Sequence, residues 1–391
     1  MFVDKGAIYA CKGVGKAADE FANVDIKGVG DMRRCYKKVV IALTMCTSAM
    51  ASAAVATSGA LVTKQGDIKP MCGSKPMVVG LADGYGGNTW RKTTLAELRD
   101  ELGRCSNVKR LIYTNANGDQ QKANTDVNSM VAQGVNVLII LPDFGAAQIP
   151  ALRAATKAGV TVIPYLSTLP GRAGKDYTSN VTDDLFARGA TQADWFGKNL
   201  KSGNIIFLGG LAGSPTSQAA LDGFKSRLDR YPGLRLLQND FVVTNLNPVD
   251  AAKAVQGVIA KYPKIDGVVT DYGVTALAAV KAFEQSHLPV PAVATAGSNN
   301  ELSCKYTETT KSGKPFAYTS LDGTTSIVRF AARRGVSEFQ GMPNSEPTSV
   351  IEYVYADSGA GIDPKCDPSA PPDADFSSAL PADKLKTLFS Q

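Results

Sequence analysis

From Met77 onward the hydrophobic positions of this chain fall into two kinds of segment: short continuous apolar runs, and longer stretches in which apolar residues recur every three or four positions. The first kind suits a strand buried on both faces, the second an amphipathic helix. The pairing is clearest between Pro76 and Leu102, PMVVGLADGYGGNTWRKTTLAELRDEL. Met77 to Leu81 is the run, and a turn holding Asp83, Gly84, Gly86 and Gly87 ends it. The side-chain oxygen of Asn88 can then cap a helix. Leu95, Leu98 and Leu102 share one stripe of that helix and are expected to face the sheet. Trp90 lies off the stripe, roughly 110° from its centre, which places the indole in the first turn above the carboxyl end of the strand. Ligands of open α/β sheets bind at that end.

The alternation repeats. A strand is predicted over 109–114, a helix over 120–133 closed by Gly134, and a strand over 135–141 ending at Pro142-Asp143-Phe144. A helix over 146–158 and a strand over 160–165 follow. A second set begins at Asp184, with helices over 185–200, 217–231, 248–261 and 273–285 and strands over 204–208, 234–243, 266–270 and 292–296. The fold class is therefore α/β, with two similar doubly wound parallel-sheet lobes. A strand at 316–321, a helix at 326–338 and a strand at 349–355 are left over, and complete the lobes by crossing back. The tail beyond Ala356 has no core pattern and is expected to wrap a surface.

With 391 residues, 44% of them hydrophobic, the chain can bury two separate cores. Half of its formal charge of +6 belongs to residues 1–53, and the basic residues that remain are scattered, so no nucleic-acid partner is expected. From Met32 the sequence MRRCYKKVVIALTMCTSAMASAA has a basic start, an apolar core and small residues that fit A-x-A cleavage. It reads as a signal peptide over 32–53, with residues 1–31 ahead of the true start. Its apolar core is too short to span a bilayer, which takes about 20 residues. Four of the seven cysteines lie beyond this leader: Cys72, Cys105, Cys304 and Cys366. None is spaced C-x-x-C, so two disulfides in an oxidising compartment are expected rather than a metal. Cys72 precedes the first strand and Cys105 follows the first helix, both at the amino end of the sheet, so these two are the preferred pair; Cys304 is then left for Cys366.

Enzyme readings find little support. The turn after the first strand has Gly84 and Gly86 but Thr89 where a dinucleotide fingerprint needs its third glycine. His287 is the only histidine, in a polar stretch, and no cofactor is expected.

Five segments together, ADGYGGNTW, QGVNVLIILPD, AGVTVIPYLS, GSPTSQAALDGF and GVVTDYGVTALAAVKAF, resemble the substrate-binding proteins of ABC importers of the ribose-binding type, in order, from about Lys75 to Val354. The resemblance implies a type I periplasmic binding protein with three interlobe crossovers, near Thr182-Asp183, Leu321-Asp322 and Pro347. On that basis 75–182 and 322–347 form the N-terminal lobe, 183–321 and 348–356 the C-terminal lobe, and 357–391 a tail. It further implies a periplasmic monomer that holds a sugar or sugar-like molecule between closing lobes and hands it to the membrane subunits of an ABC permease. A binding protein that reports to a chemoreceptor or sensor kinase is the alternative.

A sugar ring has apolar C–H faces and a rim of hydroxyls, so its site needs aromatic planes and short side chains that donate and accept. The expected strand ends offer Trp90, Phe144, Tyr165 and Tyr272 as planes. Asp83, Asn88, Asp143, Asp183, Gln218, Asp271, Asn299 and Asp322 are the polar candidates, and Arg91 could fork onto two hydroxyls or a carboxylate. Asn88, Asp143 and Asp183 are equally suited to capping helices, and Phe144 and Tyr165 to the core. The chain departs from the ribose-binding pattern where Leu166-Ser167 replace an Asp-Arg pair, Gln218 an arginine, Tyr272 an asparagine, and Ala296-Gly297-Ser298-Asn299 a G-x-D turn. Fewer charged donors are thus expected in the cleft.

Overall fold

The computed structural model describes residues 60–61 and 66–390; the leader read from residues 1–53 lies outside them. The elements begin with β1 (Ala60–Leu61), β2 (Met77–Asp83), α1 (Thr89–Leu102), β3 (Val108–Asn115), α2 (Gln120–Ala132), β4 (Val137–Ile140), α3 (Ile149–Lys157), β5 (Thr161–Leu166) and β6 (Val181–Asp183). They continue with α4 (Leu185–Asn199), β7 (Gly203–Gly209), α5 (Pro215–Lys225), β8 (Leu234–Leu236), β9 (Val242–Val243), α6 (Pro248–Lys261), β10 (Gly267–Thr270), α7 (Gly273–Gln285), β11 (Ala292–Ala296), α8 (Asn300–Lys311) and β12 (Tyr318–Asp322). Last come α9 (Ile327–Gln340), β13 (Ser349–Ile351), β14 (Tyr353–Asp357) and α10 (Ala382–Phe389).

Two sheets result, ordered β1-β13-β6-β5-β4-β2-β3 and β14-β12-β11-β10-β7-β8, with β9 also on β7. The first is parallel throughout. In the second β14 alone runs antiparallel, against β12. Both contain the same doubly wound order, and strand order reverses between β2 and β4 in one lobe and between β7 and β10 in the other. Helices cover both faces, which is why the strands are apolar without alternation; all four residues of β4 are buried. One first-lobe core holds Leu98, Ile139 and Phe330, and another Val127, Leu138 and Leu152.

Leu98 and Leu102 of α1 face the sheet as expected, with Leu95 half-buried beside them. The same face buries Glu97 and Glu101 completely, against Arg329 and Arg333 of α9. Charges are tolerated there because each has a bonded partner. Cys72 is bonded to Cys105 and Cys304 to Cys366, with Cα atoms 5.4 and 4.7 Å apart.

Several elements differ from the sequence reading. The strand expected over 349–355 is two: β13 pairs with β6 in the first sheet and β14 with β12 in the second, so the third crossover falls at Glu352 rather than at Pro347. No Gly or Pro breaks this run; the break is the buried Glu352 carboxylate, held by Arg188 of α4. The strand expected over 234–243 is also split, into β8 and β9, and the helix expected to reach Tyr231 ends at Lys225. Helix α8 is absent from the sequence reading because NELSCKYTETTK is mostly polar, with only Leu302 and Tyr306 as apolar anchors. The tail does not merely wrap: it buries Ala374, Asp375, Ser377 and Leu380, and ends in α10 against α1. No helix among the described residues is long and apolar enough to cross a membrane.

Candidate ligand cleft

Both switch points carry carboxylates at the carboxyl ends of their strands. In the first lobe Asp83 closes β2, Asp143 follows β4, and Arg91 reaches both from the first turn of α1. Its guanidinium donates to Asp83 and to the two oxygens of Asp143 at 2.7 and 3.1 Å. All three side chains are sheltered, Arg91 at 11% exposure, Asp83 at 5% and Asp143 at 12%. The turn after β2 permits this packing because Gly84 donates its N–H to Asp143 at 2.9 Å, and a Cβ at Gly84 would lie 2.6 Å from the same oxygen. Burial raises the pKa of Asp83, with Arg91 opposing and Asp143 adding to the rise. Burial works against the charge on Arg91, yet Asp143 and Asp83 together outweigh it and lift its pKa. Tyr113 of β3 donates to Asp83 at 3.3 Å, and burial followed by the Asp83 charge pushes its hydroxyl up to about 12. Tyr165, at the end of β5, is buried beside this cluster; burial raises its pKa and Arg91 opposes.

In the second lobe Asp271 follows β10. Ser217 of α5 donates to its Oδ2 at 2.6 Å, whereas its Oδ1 is buried with no protein partner. Burial raises the Asp271 pKa, with Ser217 and then Arg188 opposing. Tyr272 is half-buried at the start of α7. Burial raises its hydroxyl pKa, Asp373 of the tail adds to the rise, and Arg91 of the first lobe opposes it. Tyr272 thus feels charges from the tail and from the first lobe.

The other sequence candidates have partners of their own within the protein. Asp183 and Asp322 end the strands at two crossovers. Asp183 is paired with Arg188, which also holds both oxygens of Glu352 at 2.7 and 2.8 Å. Burial pushes the Glu352 pKa up to about 8, with Arg188 opposing. Asp322 accepts from Ser320, and burial, then the nearby Asp375, holds its pKa well above the usual carboxylate range. Asn88 caps α1 by accepting from the Arg91 N–H at 2.8 Å, and Asn299 likewise caps α8 by accepting from Leu302. Gln218 is bonded back to Asp222 on its own helix. Trp90 packs on the first-lobe core and donates its indole N–H to Thr324 at 2.8 Å, with the Arg91 guanidinium 5.1 Å from its ring centre. Phe144 stacks on Tyr85 at 5.5 Å, and Tyr85 is half exposed. The sequence reading missed Tyr113, Arg188, Ser217 and Asp373. The first three sit inside regular elements, where nothing local marks them; Asp373 comes from a Pro-rich stretch with no pattern. Among the described residues there is no group of three or more His, Cys, Asp or Glu placed to hold a metal ion.

Two doubly wound lobes joined by three crossovers, with polar side chains at both switch points, are the frame of a two-lobed binding protein. The chain belongs to the periplasmic binding protein family, whose domain profile matches residues 79–317. A xylitol-binding protein of Mycolicibacterium smegmatis is 28% identical over 196 residues, which cover 49% of this chain and 54% of that protein. The chain thus spans about half the length of the curated relatives it matches. Among solved structures, a periplasmic solute-binding protein of an ABC transporter from Actinobacillus succinogenes with bound D-allose has a TM-score of 0.61 at 20% identity, covering 72% of this chain and 97% of that one. The fructose-binding periplasmic domain of a hybrid two-component system has a TM-score of 0.58 at 19% identity, covering 71% and 89%. At such identities these structures establish the shared fold.

Proposed function

We propose that this chain is an extracytoplasmic solute-binding protein that captures a neutral polyhydroxylated molecule, a sugar or sugar alcohol, between its lobes and delivers it to the membrane subunits of an ABC importer. The observation that carries this reading is the state of Arg91. Its Nη1 and Nη2 donate to Asp83 and Asp143, and the two carboxylates outnumber its single charge, so the first-lobe switch point offers acceptors and a net negative charge rather than a free cation. The buried, unpartnered Oδ1 of Asp271 is one more acceptor. Hydroxyls can donate to such groups, whereas a ligand carboxylate or phosphate would be repelled. Asp83, Arg91, Asp143, Tyr165, Asp271 and Tyr272 are the residues we assign to ligand contact. Xylitol and D-allose, held by a relative and by a structural neighbour, belong to the class this chemistry selects. Capture and release are the role, with no chemical step on the ligand. The neighbour taken from a two-component system favours, as a second reading, a protein that reports ligand to a sensor.

A thermal-shift panel tests the ligand class, since binding to the native state raises the melting temperature as ln(1 + [L]/Kd). Xylitol, D-allose, fructose and gluconate are the probes. At least one neutral polyol should raise the melting temperature while gluconate leaves it unchanged; stabilisation by gluconate alone would overturn the assignment.

A further inference from the structure

The C-terminal segment makes bonds to both lobes within a few residues. Cys366 is covalently joined to Cys304 of α8 in the second lobe. Asn300, in the first turn of α8, donates its side-chain amide to the Asp367 carbonyl and accepts from the Asp367 N–H; its own N–H donates to the Ala374 carbonyl, while that of Glu301 donates to Pro372. Asp373, between those anchors, accepts from the Thr89 N–H in the first turn of α1, in the first lobe, at 3.1 Å. Asp375 accepts from Thr325, and Ser377 from the Gly323 N–H at the second crossover. Ser378 then donates to Glu97, and α10 lies on α1 with Lys384 paired to Asp100.

From the second-lobe anchor at Ala374 to the first-lobe anchor at Ser378 is four residues, which reach at most about 14 Å when fully extended. A tether this short limits how far its two ends can part. We propose that residues 366–389 form a fourth crossing between the lobes, a clasp that sets how wide the cleft opens, with the Asp373–Thr89 bond as its latch at the mouth. Position supports this role: Thr89, which Asp373 holds, lies in the same first helical turn as Arg91, so the latch stands beside a group assigned to the ligand. The clasp does not depend on which solute the cleft holds.

The test is small-angle scattering on the full chain with no solute added. One variant, Asp373→Ala with Lys384→Ala, alters two exposed side chains on the first-lobe side and leaves both disulfides intact. The other, Cys304→Ser with Cys366→Ser, removes the covalent bond at the second-lobe end. Both should have a larger radius of gyration than the wild type, whereas Cys72→Ser with Cys105→Ser, a disulfide within the first lobe, should not. A wild-type radius in the folded Asp373/Lys384 variant would overturn the clasp, whether or not the cysteine variant folds. Because no ligand is present, failure of the sugar panel leaves this result standing.

Discussion

Trp90 ties the first turn of α1 to Thr324, just after the second crossover, so its indole works on packing and on the hinge at once. Trp90→Ala should lower unfolding stability by about 2–4 kcal/mol, the lower part of the range for large-to-small changes because the ring is only half-buried. Trp90→Phe should lose about 1 kcal/mol, the hydrogen bond. Urea denaturation measures both, and equal stability of Trp90→Ala and wild type would remove the packing role. Glu97→Ala is the harsher change. It strips Arg329, itself 1% exposed, of a buried partner and should cost about 3–5 kcal/mol, only partly offset by Asp100 and Glu101. The carboxyls at the crossovers add a pH dependence. Asp322 and Glu352 have folded pKa values above their unfolded ones, so across the interval the native state binds more protons and stability falls as pH rises. For Glu352 the window runs from about 4.5 to about 8. The melting temperature should therefore be higher at about pH 5.5 than at about pH 8.5, and Asp322→Asn should narrow the difference by removing a charge that has no cation beside it. A melting temperature that rises across this window would contradict the assignment.

Helices α4 and α5 pack backbone to backbone through glycine. A Cβ on Gly189 would fall inside van der Waals contact of the Ala220 carbonyl oxygen, and one on Gly223 would meet that of Phe186. Backbone atoms cannot swing aside, so Gly189→Ala should destabilise by about 3 kcal/mol, the upper part of the range for overpacking, even though alanine is the better helix former. Thermal unfolding of the single variant decides this. Such crossings were not legible in the sequence, where both glycines look like helix weaknesses. What was legible follows from burial: β2, α6, α7 and β11 are bounded by Gly, Pro or Asn and carry unbroken apolar patterns. Asp83, Asp143 and Asp271 were readable as candidates because each ends an apolar run. What Arg91 binds was not readable, since the partners of a guanidinium are set by which strands lie side by side. Helix α8 and the split at Glu352 escaped for a related reason: their stability comes from neighbours far along the chain.

At the scale of the molecule, a ligand that touches both switch points should favour the closed arrangement through its contacts to the two lobes together. The radius of gyration should therefore fall when a stabilising polyol from the thermal-shift panel is added, and an unchanged radius at saturation would count against closure. The way the sheets are assembled has a consequence for synthesis. Strand β13 lies between β1 and β6 in the first sheet, yet it comes from residues 349–351; β14, which edges the second sheet, follows one residue later. As the chain emerges from its amino end, the first sheet lacks a strand until Ile351 has appeared, and the second until Asp357. Long-range pairing of this kind closes late and slowly. A chain truncated before Ser349 is thus expected to be degraded by protease in both halves, rather than to survive as one intact lobe beside a ragged one. Protection of residues 77–183 in that truncation would show that the first lobe can form without its last strand.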